Sequence, residues 1–173
     1  MGRIVGACRG INVCVPRNRT VASGFYNTLL EADEPALVIE PLNAYRLKER
    51  QPANFGDYKV ALGIPEILNF GTDVTLVSYG SSIRVAQEAV KMLQKHEISV
   101  ELIDLQTLIP FDINKDIVES VRKTNRLVVL DEDVPGGASA YILQKILVEQ
   151  EGFKFLDSAP LTLASKEHRP AYG

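Results

Sequence analysis

The sequence has no tryptophan, two cysteines, two histidines and no apolar run approaching the roughly 20 residues that span a bilayer. Cys8 and Cys14 are too few for a disulfide framework or a four-cysteine zinc site, and His96 and His168 are the only imidazoles that could add to one. Both thiols therefore read as reduced and structural. A nucleophilic cysteine would want a histidine and a polarised pocket nearby, and the sequence shows neither. His96 lies in the charged stretch KMLQKHEIS at a predicted helix end, where a solvated residue favourable to the helix dipole is the simpler reading. An excess of positive charge is also missing: 19 Lys and Arg stand against 22 Asp and Glu, a formal net charge of −3 with the signs interspersed. Nothing builds the field that nucleic-acid phosphates require, so no nucleic-acid partner is expected. The first residues lack the charged start and apolar core of a signal peptide, and a cytoplasmic protein without membrane contact is the expectation.

What is present is a chain of 173 residues, 46% hydrophobic, enough for one domain or one and a part around a sizeable core. From about Gly71 onward, strand and helix patterns alternate. DVTLVSYG reads as a strand, and SSIRVAQEAVKMLQK as a helix with Ile83, Val85, Ala86, Ala89, Val90 and Leu93 on its apolar stripe. SVELIDLQTL reads as a second strand, FDINKDIVESVRKT as a helix with Asp112 as N-cap, and RLVVLDED as a third strand. GGASAYILQKILVEQ completes the series as a helix, with APLTLAS as a last strand. Strands joined by crossover helices predict a three-layer, mainly parallel α/β domain over residues 71–173. Before it, GINVCVP, TVASGFYNTLLEA and PALVIEP give one strand-helix-strand unit, too small to close its own core. Residues 41–70 show no sustained period and read as a linker over the surface.

The stretch DEDVPGGASAYILQKIL, with its strand, Gly turn and helix order, raises the question of a phosphate-binding loop. A dinucleotide loop needs GxGxxG after the first strand, whereas Gly136 and Gly137 follow a late strand and precede Ala138, Ser139 and Ala140. The glycines read as a tight turn and the small residues as close helix packing. Asp131, Glu132 and Asp133 read as a solvated strand edge rather than an acid/base cluster. On the helix over 138–150, Ala138, Tyr141, Ile142, Lys145, Ile146 and Glu149 fall along one side and Leu143, Ile146 and Leu147 along another. That is more apolar circumference than one sheet face covers, which predicts a contact with another chain or, alternatively, cover by the linker.

In their order, GINVCVPRN, PALVIEP, GTDVTLVSYGSSIRVAQEA, VELIDLQTLIPFD, ESVRKTNRLVVLDED and GGASAYI resemble the beta chain of thiamine-diphosphate-dependent 2-oxoacid dehydrogenases. These are the decarboxylating components of the pyruvate and branched-chain 2-oxoacid complexes, related more distantly to transketolase. The ending SKEHRPAYG is similar to members with alpha and beta portions in one polypeptide.

The resemblance implies that residues 1–40 are the end of a pyrimidine-binding domain, 41–70 a linker and 71–173 a transketolase C-terminal-like domain. It implies thiamine diphosphate and magnesium as cofactors of the parent enzyme, whose activating glutamate, acid/base histidine and Gly-Asp-Gly motif have no counterpart here. No catalytic, cofactor-binding or metal residue is therefore expected in this chain. The Gly56-Asp57 pair continues with Tyr58 and reads as a surface turn. Some beta chains bind potassium through an aspartate whose best match here is Ala32, with Asp33 beside it. Expected partners are the alpha portion, a second copy of the chain and the lipoyl acyltransferase core, with this part serving assembly and docking. The alternatives are an independent nucleotide or small-molecule module, or a transketolase or deoxyxylulose-phosphate synthase fragment. Against the nucleotide module, the turn SYGSSIR carries Gly80 alone.

Overall fold

The structure of the chain, a computed structural model, describes residues 1–7, 9–50 and 52–167, so Cys8 and His168 lie outside the described residues. The larger of two sheets has the strand order β3-β5-β4-β7-β8, formed by Glu66–Asn69, Val100–Asp104, Val74–Ser78, Leu127–Leu130 and Leu161–Leu163. Strands β5, β4, β7 and β8 run parallel, and β3 pairs antiparallel with β5. Every residue of VELID in β5 is buried, as a central strand covered on both faces requires.

Helix α3 (Ser82–Gln94) lays Ala86, Val90 and Leu93 on Leu76, Val100 and Leu102 on one face of the sheet. On the other face α4 (Asp116–Thr124) and α5 (Ala138–Leu143, continuing as a π-helical turn over Gln144–Glu149) bury Ile117, Val121, Ile142 and Ile146 against Val77, Ile103, Leu127 and Val129. The result is the expected three-layer α/β fold. Val85 departs from its assignment to the buried stripe and is 64% exposed. At 100° per residue it sits about 120° from the centre of the stripe that Ile83, Ala86, Val90 and Leu93 define.

The first residues form α1 (Gly2–Ala7), β1 (Asn12–Cys14), α2 (Arg19–Leu29) and β2 (Ala36–Val38). Asn18 caps α2, its side chain accepting from the Val21 N–H at 2.9 Å. Strands β1 and β2 pair in parallel, and β6 (Thr107–Ile109) adds antiparallel to β1 to complete a second, three-stranded sheet. SVELIDLQTL is therefore two strands in two sheets. The break falls at Gln106, which takes a positive φ of 58°, turning the chain from β5 into β6. Val13 and Val15 share one core with Val77, Tyr79, Ile103 and Leu108, so the early unit closes on residues far downstream.

Two further boundaries differ from the sequence reading. Strand β3 lies within the span assigned to the linker, where Ile67 and Asn69 alternate as an exposed edge that carries too little apolar signal to stand out. Helix α4 starts at Asp116 rather than directly after Phe111. Asp112 still serves its N-terminus from further back, its carboxylate accepting from the N–H groups of Asp116 and Ile117 at 2.9 and 3.0 Å. Helix α1 packs against α5, and Met1, Ile4 and Val5 join Tyr141, Leu143 and Leu147 at the edge of the core. The linker instead packs on α2: Thr28 donates to the Val60 carbonyl at 2.8 Å, and a Cβ on Gly24 would lie 2.6 Å from Val60.

Candidate functional site

In an open α/β sheet, ligands bind where the strand order reverses, outside the carboxyl ends of the strands. Here the chain leaves β4 for β5 on one side and returns past it to β7, so that point lies between β4 and β7. The turn after β4 supplies Tyr79, Gly80 and Ser81, and the turn after β7 supplies Asp131 to Gly137.

Asp131 is 3% exposed, which corrects its reading as part of a solvated edge. One carboxylate oxygen accepts from the backbone N–H of Ser139 at 2.7 Å, at the start of α5. The other accepts from the N–H of Asp133 at 2.9 Å and from the hydroxyl of the fully buried Tyr79. Burial, and then the neighbouring Asp131 carboxylate, push the Tyr79 phenol well above its ordinary range. Glu132 is exposed and accepts from the hydroxyl of Ser81, the residue before α3. Asp133 accepts from the N–H of Gly2 at 3.0 Å, a bond that lowers its carboxyl below the usual carboxylate range. The three acids are divided among three structural tasks.

The glycines have backbone reasons. Gly136 takes φ +83°, and a Cβ on Gly137 would lie 2.7 Å from the side chain of Asp133. Gly80, at φ +55°, faces Val15, the residue after β1, 2.9 Å from where its Cβ would stand. The cavity enclosed by Val15, Ile39, Glu40, Pro41, Gly80, Ser81 and Glu132 holds about 30 Å³. The start of α5 is served by one carboxylate and the cavity is rimmed by Glu40 and Glu132, so it opposes an anion electrostatically as well as sterically. These residues do not fit a diphosphate. Gly136→Val is expected to lower stability by roughly 1–3 kcal/mol, seen as a fall in the urea midpoint; an unchanged midpoint would show that the turn does not need a positive φ.

The remaining sequence candidates are dispersed. Cys14 is buried, and burial pushes its thiol up to about 12, far from a nucleophile's range. His96 is exposed just beyond α3, Asp57 lies in an exposed turn, and Ala32 and Asp33 are exposed between α2 and β2. Among the described residues, no three His, Cys, Asp or Glu side chains converge as a metal site would require. A cleft of about 550 Å³ opens between α2 and the linker, bordered by Arg19, Tyr26, Glu40, Glu49, Arg50 and Phe55.

The strongest polar constellation was invisible in sequence. The Arg17 guanidinium donates to Asp104 at 2.8 Å and to Glu66 at 2.7 Å, tying the turn after β1 to β5 and β3. Asp104 is fully buried and also accepts from the Gln106 N–H at 3.1 Å. Burial pushes its carboxyl up to about 6 despite the guanidinium, with the Glu66 charge adding to the rise. A carboxyl raised on folding binds its proton more tightly in the folded state. Its contribution to stability therefore falls as pH rises from about 4 to 6, and the cost is complete above 6. Its size is on the order of 3 kcal/mol. Subtracting the Asp104→Asn profile from that of the wild type should isolate this slope; parallel profiles across pH 4–7 would refute it.

Comparison with known proteins gives this arrangement its family. Over 160 residues the chain is 32% identical to the pyruvate dehydrogenase E1 component subunit beta of Acholeplasma laidlawii, covering 91% of this chain and 47% of that one. It is 36% identical over 157 residues to the mitochondrial 2-oxoisovalerate dehydrogenase subunit beta of Chaetomium thermophilum (90% and 33%). It is 33% identical over 161 residues to the acetoin:2,6-dichlorophenolindophenol oxidoreductase subunit beta of Bacillus subtilis (93% and 46%). The chain thus spans half or less of the length of these relatives. A solved structure described as a split gene transketolase, inactive beta4 tetramer, superposes with a TM-score of 0.71 at 22% identity, over 93% of this chain and 50% of that one, and so shares the fold. The family described as transketolase, C-terminal domain, matches residues 64–172, the span that contains the five-stranded sheet with α3, α4 and α5. By that match the chain belongs to the transketolase C-terminal domain family.

Proposed function

We propose that the chain is the C-terminal part of the beta portion of a thiamine-diphosphate-dependent 2-oxoacid dehydrogenase, serving subunit assembly and docking. The observation that carries this reading is the extent of the similarity: at 32–36% identity it runs through about nine-tenths of the chain, and so includes α2 and β2, which lie outside the family match. In this reading residues up to about 40 finish a pyrimidine-binding domain, and the alpha portion, a second copy and a lipoyl acyltransferase core are the partners. The three relatives are named for pyruvate, 2-oxoisovalerate and acetoin, so the common element is the enzyme type rather than one substrate.

Thiamine diphosphate and magnesium would be held elsewhere in the enzyme, since the crevice at the ends of β4 and β7 is narrow and edged with carboxylates. Calorimetric titration of this chain with thiamine diphosphate and magnesium should give no saturable heat; micromolar affinity would overturn the division of labour. The enzyme reading is tested separately, on a longer polypeptide that carries this chain with its alpha portion. Decarboxylation of pyruvate or a branched-chain 2-oxoacid, followed with an artificial electron acceptor, is expected. Failure with both, from a folded and cofactor-loaded protein, would refute the assignment.

A further inference from the structure

We draw no further inference here: the strongest candidate, the apolar strip of Val128, Leu130, Leu161 and Leu163 on the β7–β8 half of the sheet face that α3 leaves open, carries nothing because nothing among the described residues shows what covers it.

Discussion

Asp131→Ala is expected to destabilise the chain by about 3–5 kcal/mol, read as a fall in the urea midpoint at pH 7. The carboxylate is 3% exposed and receives the Tyr79 hydroxyl and the N–H groups of Ser139 and Asp133. Removing it strands the Tyr79 donor, which is itself fully buried, and uncaps α5. Asp131→Asn keeps the shape and one acceptor, so its loss should be smaller. Tyr79→Phe removes one partner, and a cycle of the single and double variants should return a coupling above about 1 kcal/mol. An alanine variant within about 0.5 kcal/mol of wild type would show that the buried carboxylate does not hold the two turns together.

Gly71→Ala should be at least as costly, although it adds only a methyl group. A Cβ at this position would stand 2.1 Å from the Val100 carbonyl carbon and 2.3 Å from the Glu101 N, both backbone atoms of the central strand β5. No rotamer relieves that overlap, so either β5 shifts or the chain before β4 detaches, breaking the Gly71 N–H bond to Glu101 at 3.2 Å. A loss of about 3–5 kcal/mol or failure to accumulate as soluble protein is expected. Gly6→Ala provides the contrast. Gly6 lies in α1 with nothing within 4 Å of its Cβ position, so alanine there should be neutral or stabilise by up to about 1 kcal/mol. Equal effects at the two glycines would remove the steric argument.

Much of the architecture was legible along the chain because it depends on near neighbours. Ile83, Ala86, Val90 and Leu93 recur at helical spacing; Ile83 is buried, and Ala86, Val90 and Leu93 lie on the sheet. LVVL, bounded by polar residues, is a strand for the same local reason. Where the reading missed, the deciding contact was distant. VELIDLQTL carries an unbroken β pattern, and nothing in it announces that Gln106 reverses the backbone so that β6 can join β1. The contact of α5 with α1, more than a hundred residues upstream, had no signal in the local pattern of either segment.

The sequence by itself determined the alternation of strands and helices from residue 71, the three-layer class and the family, since periodicity and turn residues record local sterics and burial pattern. Only the tertiary structure decided what each polar group does. Asp131, Glu132 and Asp133 are adjacent and chemically alike, but one is buried under Tyr79, one reaches Ser81 and one receives the Gly2 N–H. Arg17 finds Glu66 and Asp104 at sequence separations of 49 and 87 residues. The strength of such contacts is set by desolvation and geometry, which exist only once the two sheets have closed on one core.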